Sequence, residues 1–136
     1  HRDTIRQVIE TTGLYIAESY LAPIPKWVIV SLYPDLAQAK DEVWNVTRRH
    51  LFGKRCEVGI AQGNRAVEKL LLVCGADKNP SLCATGTIRQ CFGITVAVQL
   101  AGGKQYWFNA IHRSKDEEEA VRDIKIFNAL HSSGSR

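Results

Sequence analysis

Apolar positions recur most regularly near the end of the chain. Ala120, Val121, Ile124, Phe127, Leu130 and His131 fall at three- and four-residue spacing and predict a helix over 115–131. Ser114 and Glu117 have capping-box spacing, and Asp116 to Glu119 fill the first turn, where the helix dipole favours negative charge. Near the start, Ile5, Val8, Ile9, Thr12, Tyr15, Ile16 and Tyr20 predict a helix over 4–21. Gly13 is its weak point, and Pro23 and Pro25 end it. The β-branched and aromatic run Lys26 to Tyr33 reads as a central strand. Asp35 then caps a helix whose inward stripe is Leu36, Ala39, Val43, Val46, His50 and Leu51, closed by Gly53.

Residues 55–61 read as a returning strand. Residues 65–74 admit two readings: a helix capped by Asn64, or a buried strand paired with 55–61, which is adopted here. Gly63 to Asn79 resembles the second half of an ankyrin repeat, which would favour the helix. No neighbouring repeat at a spacing of about 33 residues accompanies it, and an isolated repeat cannot bury its faces. Residues 75–90, rich in Gly, Asp, Asn, Pro and Ser, read as a loop. Gly102-Gly103 predicts a two-residue hairpin turn joining strands 91–100 and 104–112. That register sets Leu100 opposite Gln105, Val98 opposite Trp107, Val96 opposite Asn109 and Ile94 opposite Ile111. Ile94, Val96, Val98, Leu100, Trp107 and Ile111 then form a core face. Thr95, Ala97, Gln99, Tyr106, Phe108, Ala110 and His112 form the other.

These elements predict a single α+β domain over 1–131, mainly an antiparallel sheet of about four to five strands packed with an N-terminal, a middle and a C-terminal helix. Residues 132–136 read as a flexible tail. The 136 residues, 45% apolar and 24% charged, exclude a disordered chain or a coiled-coil rod. No apolar run reaches the ~18 residues of a membrane span. The net charge of +4 is short of a dedicated nucleic-acid binder.

The cysteines are Cys56, Cys74, Cys83 and Cys91. Their even number permits two disulfides and points to an oxidising, extracellular compartment; four buried thiols are the alternative. None has zinc-knuckle spacing, so a metal site is not expected. His1 in place of Met fits a processed chain. Asn45-Val46-Thr47 is a glycosylation sequon inside a predicted helix.

Two groups of residues could carry chemistry. Arg48, Arg49, Lys54 and Arg55, with His50 among them, form a basic cluster able to hold phosphates. Cations at a helix C-terminus also have a purely structural explanation. His112 and Arg113, with Glu57 or Glu68, could supply the base, cation and acid of a metal-free hydrolase. Asn109 sits among apolar neighbours and needs hydrogen-bond partners, from a loop or a ligand. No cofactor-binding motif is present, so no cofactor is expected. The sequence therefore reads as a secreted, disulfide-stabilised, non-enzymatic recognition or effector protein, of virulence type, that binds a protein partner. A secreted ribonuclease-like enzyme, or an inactive relative binding RNA or another phosphate-bearing ligand, is the first alternative. An intracellular adaptor with reduced thiols is the second.

Overall fold

A computed structural model describes residues 1–94 and 96–134. Thr95, assigned above to the hairpin, and Ser135 and Arg136 of the tail lie outside the described residues. The first helix, α1, spans Arg2–Glu10 and buries Ile9. It stops well short of residue 21. Gly13 takes φ +88°, a left-handed conformation that suits glycine and turns the chain out of the helix. The β-prone residues beyond it, Tyr15, Ile16 and Tyr20, enter β1, Tyr15–Pro23. This strand pairs antiparallel with β2, Arg55–Gln62, from Tyr15 opposite Gln62 to Pro23 opposite Arg55. The register shifts between Ile16 and Glu18.

The run predicted as a central strand is instead a helix, α2, over Lys26–Leu32. Only Val28 and Ile29 of the run are buried; Trp27 and Val30 lie on the exposed side of the helix. Ile29 is fully buried and Val28 nearly so, packed with Ala22, Ile24, Trp44 and Leu130. Burying an isoleucine completely stabilises the fold by about 1.5–3 kcal/mol. Pro25 precedes α2 and Pro34 opens α3, Pro34–Ala39, both positions that tolerate a missing N–H. The predicted helix from Asp35 onward is split. Lys40 adopts φ +52°, and Asp41 accepts a bond from the Trp44 N–H at 3.1 Å to cap α4, Glu42–Leu51.

Residues 65–74 form a helix, α5 (Ala66–Cys74), not a strand against β2. Cys74 is fully buried, and Gly75 ends the helix at φ +101°. A Cβ there would lie 2.8 Å from Cys83 Sγ, so the close approach needs glycine. The predicted loop holds a 3-10 turn, Pro80–Leu82, and a short helix α6, Ile88–Phe92, capped by Thr87. The long hairpin shrinks to β3, Val98–Gln99, and β4, Gln105–Tyr106. Val98 faces Tyr106 and Gln99 faces Gln105, one residue off the predicted register. A 3-10 turn over Ala101–Gly103 replaces the two-residue turn. A one-residue slip exchanges faces. Leu100 is buried, but Ile94 and Val96 are exposed, Val96 by 75%. The last helix, α7, runs Glu117–Gly134. Asp116, rather than Ser114, caps it, accepting from the Glu119 N–H at 2.8 Å.

The α+β class holds, with seven α-helices and two small antiparallel sheets among the described residues. Apolar side chains gather in two clusters. One joins Ala22, Ile24, Val28, Ile29, Trp44 and Leu130; the other joins Ile9, Leu14, Cys74 and Ile88. The predicted disulfides do not form. Cys56, Cys74, Cys83 and Cys91 are all free. Cys74 packs in the second cluster, where burial pushes its thiol up to about 11, and the Cys83 thiol donates to the Asp77 carbonyl at 3.2 Å. Alkylation of the unfolded, unreduced chain should therefore add four groups by mass. Two groups or none would restore the disulfides.

Candidate active site around His112

A cavity of about 1700 Å³ opens between β2, α1, α7 and the segment after β4. His112 lies on its wall, just before α7, with its ring open to the cavity. Tyr33, at the end of α2, places its hydroxyl 3.2 Å from His112 Nδ1 and meets the ring edge-on. Glu119 and Asp123 are one helical turn apart on α7, so both project to the same side of it. Their carboxylates and a His112 ring nitrogen lie within 4.8 Å of one another. Asp123 is held in place: Ser114 Oγ donates to Oδ2 at 2.7 Å, and Arg122 donates to Oδ1 at 2.8 and 2.9 Å.

Two arginines complete the wall. Arg89 of α6 is buried and clamps the backbone on either side of the site. It donates to the Ile111 carbonyl at 3.3 and 3.4 Å and to the Asp77 carbonyl at 3.1 Å. Arg113 reaches the Gly75 and Ala76 carbonyls at 3.4 Å each. Its Nε is buried without a hydrogen-bond partner, as is Asn109 Oδ1; Asn109 Nδ2 meanwhile donates to the Lys78 carbonyl at 2.8 Å. Arg113, Asn109 and His112 line the same cavity.

The electrostatics favour a neutral imidazole. Loss of bulk water pushes the His112 pKa below the usual 6.5, the nearby Arg89 and Arg113 push the same way, and Asp123 and Glu119 oppose them. Burial, reinforced by Tyr106, raises Tyr33 to about 12, so its hydroxyl stays protonated. Burial also lowers Arg113, with Arg89 next in effect.

His112, Glu119 and Asp123 are the one histidine-carboxylate group among the described residues close enough to hold a cation. Both Asp123 oxygens accept from donors, which fixes that carboxylate near the ring.

The sequence-predicted residues are distributed unevenly. His112 and Arg113 sit together in the site. Glu57 lines the same cavity, but its carboxylate is engaged by Arg6 and, at 4.0 Å, by Arg2. Glu68 pairs with Arg65 on the surface. The basic cluster divides: Lys54 and Arg55 line the cavity, while Arg48 and Arg49 remain at the end of α4. The other three histidines stack on aromatic rings, His1 on Phe92, His50 on Phe108 and His131 on Tyr20. Sequence reasoning missed Tyr33, Arg89, Glu119 and Asp123. The usable signal was the four-residue spacing of Glu119 and Asp123 on a helix that begins just after His112.

The family model described as "NDK: Nucleoside diphosphate kinase" matches residues 1–132. The fold is similar to that of a nucleoside-diphosphate kinase from Borrelia burgdorferi, solved as a transition-state mimic with vanadate and ADP. The TM-score is 0.73 at 21% identity, over 91% of this chain and 75% of that one. No curated protein sequence matches. The family match overturns the expectation of a non-enzymatic effector, and with it the virulence role. The extracellular placement rested on paired cysteines, and the free thiols and the kinase match remove it. No helix is long and apolar enough to cross a membrane among the described residues, in line with the sequence reading. Over nearly its whole length, then, the chain belongs to the nucleoside diphosphate kinase family.

Proposed function

We propose that this chain passes a phosphoryl group between nucleoside phosphates by way of His112. The observation that carries the reading is His112 set in a cavity between a hydroxyl, two carboxylates and an arginine with an unpartnered Nε. With the ring proton on Nε2, the Tyr33 hydroxyl, 3.2 Å from Nδ1, can donate to that nitrogen at rest and turns away when the lone pair attacks. Glu119 and Asp123, whose carboxylates lie within 4.8 Å of a ring nitrogen, stabilise the positive charge the ring gains. Nδ1 then carries the lone pair that attacks.

In the first half-reaction, Nδ1 forms an N–P bond to the terminal phosphorus of a nucleoside triphosphate. The bridging P–O bond breaks, and its electron pair leaves with the diphosphate. In the second, a terminal oxygen of another nucleoside diphosphate attacks the same phosphorus, and the N–P electron pair returns to Nδ1. Arg113 and Lys78 at the cavity wall can meet phosphate oxygens, while Arg89 holds the Ile111 carbonyl and so the position of His112. The phosphate-bearing ligand foreseen from the basic residues becomes, on this reading, a nucleoside phosphate.

Incubation with ATP labelled at the γ-phosphorus tests the reading. The chain should acquire a label that acid removes and alkali spares, as an N–P bond requires, and added GDP should discharge it as GTP. Absence of such a label overturns the proposal. The labelling rate should climb with pH below the usual histidine value of 6.5 and level off by neutrality. Protonation occupies the lone pair, and the site lowers the pKa at which that happens. A rate still rising between pH 7 and 9 would assign the nucleophile to another group.

A further inference from the structure

Two stretches of the chain, residues 19–34 and 43–56, contain five lysines and arginines and no aspartate or glutamate. The fold brings their basic ends together. The antiparallel pairing of β1 with β2 reaches Pro23 opposite Arg55 and continues one step further. The Ile24 N–H donates to the Lys54 carbonyl at 3.0 Å, and the Gly53 N–H donates to the Ile24 carbonyl at 2.8 Å. The start of α2 at Lys26 therefore lies beside the end of α4, which carries Arg48 and Arg49. Among the described residues, none of Lys26, Arg48, Arg49, Lys54 and Arg55 forms an ion pair with a carboxylate.

The helix dipole explains Arg48 and Arg49, which sit in the last turn of α4. It does not explain the other three. Lys26 opens α2, the end where the dipole repels a cation, and no acidic residue in that first turn offsets it. Lys54 and Arg55 lie beyond the end of α4. Apolar side chains stand exposed among these charges. Phe52, between Arg49 and Lys54, is 59% exposed. Trp27 and Val30, three residues apart and so on one side of α2, are exposed next to Lys26. An exposed apolar group rimmed by unpaired cations marks a contact surface.

The mixture selects the partner. Cations alone would suit any polyanion. A single-stranded nucleic acid would use flat rings as stacking platforms and leave Val30 without a role. The boundary of an anionic bilayer uses every member of the set. Its headgroup phosphates and carboxylates meet the lysines and arginines, and its acyl edge receives the apolar side chains. We propose that this surface docks the chain on an anionic lipid bilayer at the level of the headgroups. The cavity at His112 is lined by none of Lys26, Trp27, Val30, Arg48, Arg49 and Phe52, so the docking does not rest on phosphoryl transfer.

Sedimentation with vesicles tests it. At about 0.1 M salt the chain should partition onto phosphatidylcholine vesicles carrying about 30% phosphatidylserine, and not onto phosphatidylcholine alone. Lys26→Gln combined with Arg49→Gln should weaken partitioning by at least about tenfold, since each cation near an anionic surface adds to the attraction. Phe52→Ser should weaken it as well but keep the salt dependence as steep, because it removes an apolar contact and no charge. Both variants should melt with the parent, so that the loss reports docking and not unfolding. Failure to partition, equal partitioning onto the two kinds of vesicle, or unchanged partitioning by either variant would overturn the proposal. So would binding to a thymidine oligonucleotide that both variants abolish while neither vesicle carries down the chain, which would give the surface to a nucleic acid.

Discussion

His112→Gln should abolish labelling of the chain by γ-labelled ATP, a loss of at least about a thousandfold, because the carboxamide offers no nucleophilic nitrogen. Thermal stability near neutral pH should change little, since the ring is open to the cavity and its one resolved hydrogen bond is to Tyr33. Acid conditions should separate the two proteins further. The folded state lowers the His112 pKa, so the unfolded chain binds the extra proton more readily. The stability linked to neutral His112 is complete above the unfolded value and is lost as pH falls through the folded one. The variant has no such group and should resist acid better than the parent. Retention of an acid-labile label by His112→Gln would move the acceptor to another histidine, such as His50, and sink the assignment.

Arg89→Met should be the most damaging change outside the nucleophile. Arg89 is buried and spends its donors on two backbone carbonyls, Asp77 and Ile111. Methionine fills much of the volume but leaves both carbonyls without that partner. Charge-assisted hydrogen bonds of this kind contribute about 1.5–3 kcal/mol, and urea denaturation should register a loss in that range. Labelling should fall as well, because Ile111 directly precedes His112. An unchanged urea midpoint would show that the clamp is incidental.

Local signals written into short stretches were readable in advance. The negative first turn and apolar stripe of α7 placed that helix within three residues at either end. β2 was expected over 55–61 and spans Arg55–Gln62. His112, Arg113 and Asn109 stood out because ionisable or polar side chains were embedded in an apolar pattern. Three features depended on neighbours that no local window contains. Residues 26–33 carry apolar side chains on the exposed face (Trp27, Val30) as well as the buried one (Val28, Ile29), which erases the difference between strand and helix periodicity. The hairpin register turned on one residue in the turn. The association of Tyr33 and Asp123 with His112 joins positions far apart in sequence, and nothing at either position announces the other. The cysteines misled for a different reason: an even number permits pairing, but whether the sulfur atoms meet is decided by the fold.

The β1–β2 ribbon is the strut common to both apolar clusters. Its Pro23 end adjoins Ala22, Cys56 and Val58 of one, and its Tyr15 end adjoins Ile16 and Ala61 of the other. The break in register between Ile16 and Glu18 falls along that strut, near the second cluster. Twisting is concentrated at such irregularities. A substitution that weakened the pairing of β1 with β2 would therefore loosen both apolar clusters together.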